Sequence, residues 1–143
     1  MKKIWSWTLV SVLAGIVLGV YLKAVQFVTG IKVYLLLLNI DYIPVLNRLN
    51  FWEMGEFILH LAASIIIGNV LQWGITKWRL VRKQQFLIII SASLIVAIAY
   101  YPVIILFEQT LGLLSIIAFT WWISGHLLYG FSLFYLQTII AKN

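Results

Sequence analysis

The chain alternates long apolar runs with short polar breaks. Trp5 to Leu22 is free of Asp, Glu, Lys and Arg over 18 residues, Phe57 to Thr76 over 20, Phe86 to Phe107 over 22 and Gln109 to Ala141 over 33. An α-helix rises about 1.5 Å per residue, so roughly 20 residues cross a hydrocarbon core about 30 Å thick. The first three runs are one span each. The fourth would extend about 50 Å as one helix, too long for one crossing and too short for two. Its span is expected at Phe119 to Ala141, with Gln109 to Ala118 at the interface or against the bundle. The apolar patch Val33 to Ile40 is too short to span and is expected as an interfacial or re-entrant piece. The pattern therefore predicts an all-α polytopic membrane protein with a single membrane domain over residues 1–143. Four transmembrane helices, at about 5–22, 57–76, 86–107 and 119–141, form the bundle, with an outer segment at 23–55.

Cations orient the spans. With the N-terminus inside, the inner side carries Lys2, Lys3, Lys77, Arg79, Arg82, Lys83 and Lys142 and no acid. The outer side carries Lys23, Lys32 and Arg48 against Asp41, Glu53, Glu56 and Glu108. The positive-inside rule then puts both termini in the cytoplasm. Three or five spans would separate the 77–83 cluster from Lys142. Trp5, Trp7, Trp73 and Trp78 fall at the inner ends. Tyr21, Trp52, Tyr100, Tyr101, Trp121 and Trp122 fall near the outer ends, as an aromatic belt requires. The first span follows Lys2 and Lys3 like a signal peptide, yet its core is long and no A-x-A site follows, so it is expected to remain as an anchor.

The outer segment contains the turn-prone Gly30, Asp41, Pro44, Asn47 and Asn50 together with Tyr34, Leu35 to Leu38 and Phe51, and is expected to pack on the outer face. Ser11, Gly15 and Gly19 make a small-residue seam at intervals of four. Ser64 and Gly68 repeat it in the second span, and Ser93 and Ala97 in the third. Such seams let helix backbones approach closely, either within one bundle or in a homo-oligomer. Gly125 is a further packing position, and Pro102 is expected to kink the third span near its outer end.

Composition removes several function classes. Hydrophobic residues make up 64% and charged residues 10% of the chain, too little charge for a soluble domain. The absence of cysteine excludes disulfides, thiolate metal sites and Cys nucleophiles. A net charge of +6 invites a nucleic-acid reading, but the cations sit where membrane topology puts them, and no nucleic-acid partner is expected. The cluster Lys77 to Lys83 fits contact with anionic lipid. There is no G-x-S-x-G, H-E-x-x-H, Walker loop or G-x-G-x-x-G, so no catalytic residue and no cofactor is assigned.

Ionisable groups inside spans carry the functional expectation. His60 and His126 both fall roughly 5–10 Å below the outer boundary, at the depth of Tyr101 and Pro102. Glu53, Glu56, His60 and Ser64 share one helix face if the second span starts at or before Glu53. Three readings stay open for this layer: hydrogen bonding that specifies packing, a proton-responsive site of His60, His126, Glu56 and Tyr101, or a metal site of His60, His126 and Glu56. Asn69 and Gln72 line a polar inner cavity or hydrogen-bond between helices.

The glycine-spaced first span, His60-x-x-x-Ser64, Pro102, and Ser124-Gly125-His126-Leu127 followed by Ser132 together resemble the YagU family of small bacterial inner-membrane proteins. The chain is shorter than that pattern and has a smaller outer loop. The resemblance implies a non-enzymatic protein of the bacterial cytoplasmic membrane, a loose association with acid tolerance, and His60 and His126 as the positions to test. Two other functions remain open: a small membrane subunit of a transporter or membrane enzyme, and an oligomeric small-solute permease.

Overall fold

The computed structural model describes residues 2–38, 53–107 and 116–140, with side chains at 5–38, 53–99 and 116–140. Every element among them is helical: α1 (Lys2–Thr29), α2 (Val33–Leu38), α3 (Glu53–Lys77), α4 (Arg82–Phe107) and α5 (Ile116–Ile140). Four of these are long and apolar enough to cross a membrane. The chain is a multi-pass membrane protein built as a four-helix bundle.

The helices are not equivalent. α1 packs against α3 on one side and α5 on the other, and α5 packs against α4. α3 and α4 follow each other in the chain but scarcely meet. In the apolar windows of α1 and α5, 44% and 39% of positions are buried, against 17% in α3 and 17% in the described part of α4. The two central helices thus find protein on two sides, and the flanking pair offers most of its surface to lipid.

Small residues make the α1–α3 contact close. Descending the bundle, Lys23 meets Glu53, Gly19 meets Phe57, Gly15 meets Leu61 and Ser64, and Ser11 meets Gly68. A Cβ on Gly15 would lie 2.9 Å from Leu61 Cδ2 and 3.1 Å from Ser64 Oγ, and one on Gly19 or Gly68 would overlap Phe57 or Ser11. On the other side of α1, Gly125 of α5 lies against Leu18 and Leu22, and Gly130 faces Ser93 of α4. All these small residues look into the bundle.

α1 continues past Leu22 to Thr29, about two turns beyond the predicted span. Lys23 in this extension pairs with Glu53 at 2.5 Å and stands 5.1 Å from the Tyr34 ring. The helix stops where Gly30 takes φ +73°, with its N–H on Gln26 O. The Gln26 side chain then accepts from the N–H groups of Tyr34 and Leu35 and so caps α2. α2 buries Val33, Tyr34, Leu36, Leu37 and Leu38 on the end of the bundle and leaves Leu35 exposed. Burial raises the Tyr34 phenol above its ordinary pKa while Lys23 pulls the other way. Residues 39–52, including Asp41, Pro44 and Trp52, lie outside the described residues, as do Glu108 and the stretch Gln109 to Ser115.

Two tryptophans depart from the belt assignment. Trp5, Trp73 and Trp78 are exposed, as belt residues are, but Trp7 is 3% exposed and Trp122 is fully buried. Depth along a helix suits an indole to the headgroup level, and helix face decides whether it reaches lipid. Trp7 and Trp122 lie on the inward face.

Candidate functional site

α3 begins at Glu53, so Glu53, Glu56, His60 and Ser64 share a face in the predicted register. That face lies on α1. The His60 ring points Nε2 at the carbonyl of Gly15, 3.3 Å away. The glycine leaves that carbonyl open to a side chain from the neighbouring helix. One turn further along α3, Ser64 Oγ donates to Ser11 O at 2.7 Å. Its single proton is committed there, so the Tyr129 hydroxyl, 3.0 Å away, donates to Ser64.

Tyr129 brings α5 into the same layer. His126 precedes it by three residues and is buried, its Nδ1 3.0 Å from Trp122 O. Trp122 in turn donates Nε1–H to Ala97 O of α4 at 3.0 Å, and its ring lies 4.5 Å from the His126 ring. α1 serves as the ruler for depth. Gly125 lies beside Leu18 and Leu22, and Tyr129 reaches Ser11 through Ser64. His126, one residue past Gly125, therefore lies between the levels of Leu18 and Ser11, within about one turn of Gly15, the residue that His60 bonds. The two histidines share one layer, about two turns below the Lys23–Glu53 pair.

Backbone partners fix the tautomers of the neutral rings. A carbonyl only accepts, so His60 carries its proton on Nε2 and His126 on Nδ1. The lone pairs are then on His60 Nδ1 and His126 Nε2. Protonation of either ring keeps its carbonyl bond and adds a charge inside the bundle.

The remaining predicted site residues divide. Glu56 lies one turn above His60 on α3. Among the described residues no three of His, Cys, Asp and Glu gather closely enough to hold a metal ion, His60, His126 and Glu56 included. Tyr101 and Pro102 belong to the helical part of α4 whose side chains lie outside the described ones. Asn69 hydrogen-bonds between helices: its Nδ2 donates to Ile65 O at 2.9 Å and to Thr8 Oγ1 of α1 at 3.5 Å. Gln72 lines a cavity.

Sequence reasoning missed Trp122, Tyr129 and Gln137. A signal was present. Trp122, His126, Tyr129, Leu133 and Gln137 follow one another at intervals of three or four, the spacing of one helix face, and all five are buried. Tyr21, at the depth of the outer aromatic belt, also bonds Ser124 through its hydroxyl at 2.8 Å and so ties α1 to α5 above the layer.

Comparison with known proteins finds no family model, no curated protein and no solved structure that matches the chain.

Proposed function

We propose that this is a non-enzymatic protein of the bacterial cytoplasmic membrane, of the YagU type, with both termini cytoplasmic. Its histidine layer responds to acid on the outer side. The supporting observation is the shared layer: two imidazoles at one depth, each anchored by one nitrogen to a backbone carbonyl. Such a ring takes up a proton on its other nitrogen without giving up its anchor. The added charge falls where α1, α3 and α5 meet at glycine-spaced contacts. Charge in a packed apolar layer is costly, so protonation favours an arrangement in which the helices separate or water enters. Histidine is the side chain whose ordinary titration range matches such a signal.

The test is a titration of the His60 and His126 ring resonances in nanodiscs between roughly pH 4 and 8. The reading expects both rings to titrate and each to shift when the other is replaced by Ala. Rings that stay neutral throughout would reduce the layer to packing and end the acid hypothesis. Reporter fusions test the orientation: one after Asn143 should read cytoplasmic and one near Asp41 external, and the reverse pattern would overturn it.

A further inference from the structure

At the end of the bundle opposite α2, the first turns of α1 and α4 and the last turns of α3 and α5 surround a cavity of about 520 Å³. Small-molecule sites fall in this size range. Arg79 and Arg82 stand at its rim, Gln72, Gln85 and Gln137 line it, and Trp7 contributes an apolar wall. Among the described residues no acidic side chain lines it. Gln85 is satisfied internally, its Nε2 donating to Leu80 O at 2.8 Å. Gln137 is not. It is 5% exposed, its Nε2 and Oε1 lie within the wall with almost no accessible surface, and among the described residues neither has a hydrogen-bond partner. A buried amide with both ends open is rare in native proteins because each unmade bond costs stability.

The rim carries a second anomaly. α3 ends with Leu80 N–H on Ile75 O and Arg79 N–H on Thr76 O, a Schellman cap. Its left-handed position, φ +47°, is held by Arg79, where glycine is the unstrained residue. An arginine there places a cation at the cavity mouth.

We propose that this cavity binds an anionic phosphodiester headgroup from the surrounding lipid. The two guanidinium groups meet the phosphate, and arginine suits its oxygens because its donors form a planar fork. When its side chain turns out of the wall, the Gln137 amide donates to a phosphate oxygen and accepts from a headgroup hydroxyl, which satisfies both of its unpaired atoms. A glycerol headgroup carries both functions. The recess lies at the turn that joins α3 to α4, two helices that make few contacts with each other. The inference requires only that the protein lies in a membrane and is independent of the histidine layer.

The experiment measures thermal stability of the full chain in neutral detergent, with phosphatidylglycerol, phosphatidylcholine or inorganic phosphate added in separate arms. Phosphatidylglycerol is expected to raise Tm and phosphatidylcholine is not. Gln137→Met keeps the side-chain length and removes the amide, and Arg79→Gly removes the cation while relieving the backbone. Each is expected to weaken apparent phosphatidylglycerol affinity about tenfold or more, since a hydrogen bond to a charged group is lost. Both variants are expected to be at least as stable as the parent without lipid, which a merely structural role would not give. Equal shifts with both lipids, or a phosphatidylglycerol shift unchanged in both variants, would overturn the site. A shift from inorganic phosphate alone, with none from phosphatidylglycerol, would overturn the lipid assignment in favour of a soluble phosphate.

Discussion

The histidine layer and the basic-end cavity are both polar regions inside an apolar bundle, and they handle their polar atoms in opposite ways. In the layer, Ser64 holds Ser11 O and receives Tyr129, His60 holds Gly15 O, and His126 holds Trp122 O. At the basic end, Gln137 is as buried as Ser64 and His126, and among the described residues neither of its amide atoms has a partner. Hydrogen-bonded groups between spans fix the packing of helices. The Gln137 amide, in the wall beside Arg79 and Arg82, has no such partner among the described residues. The layer is closed because glycines and serines bring α1 and α3 into contact there. At the basic end a recess remains beside the turn that joins α3 to α4.

The largest effect should come from filling the seam. Gly15→Leu puts a branched side chain where even a Cβ meets Leu61 and Ser64, and removes the approach by which His60 reaches the Gly15 carbonyl. A loss of about 3 kcal/mol is expected from denaturant titration, the upper range for overpacking. An unchanged transition would mean that the layer does not depend on close contact. Trp122→Phe keeps most of the ring volume and removes the bond to Ala97 O. It should cost about 1–2 kcal/mol by the same titration, and a neutral result would detach α4 from the layer. The smallest effect belongs to the exposed pair above the layer. Lys23→Ala should leave the thermal transition in place, because an ion pair in water contributes little. A clear drop would move the anchoring of α1 to α3 from the seam to the surface.

The elements of this fold were legible because lipid imposes one simple rule on length and polarity. The α3 register also followed from Glu53, Glu56, His60 and Ser64, since a helix has a fixed period. The seams at Gly15, Gly19 and Gly68 showed as spacing, but which helix each one faces did not, because spacing within one helix does not name its neighbour. That α1 and α5 are central while α3 and α4 flank them is a property of packing between distant segments. Trp7 and Trp122 were misread for a related reason: hydropathy reports how deep an indole lies and not which way it points. Gln137 was overlooked in an uncharged run, although its place on the Trp122–His126–Tyr129 face marks it as inward.

The contrast between a closed layer and an open cavity is tested most directly by the thermal stability of Ser64→Ala and Gln137→Met in the same neutral detergent. Ser64→Ala leaves the Tyr129 hydroxyl without its acceptor and should lower stability by about 1–2 kcal/mol. Gln137→Met removes two open polar atoms and should leave stability equal or raise it by up to about 1 kcal/mol. Opposite or clearly separated responses of this kind support the account. Equal losses in the two variants would show that Gln137 is as firmly held as Ser64, and the basic end would then be a second packed layer without room for a ligand.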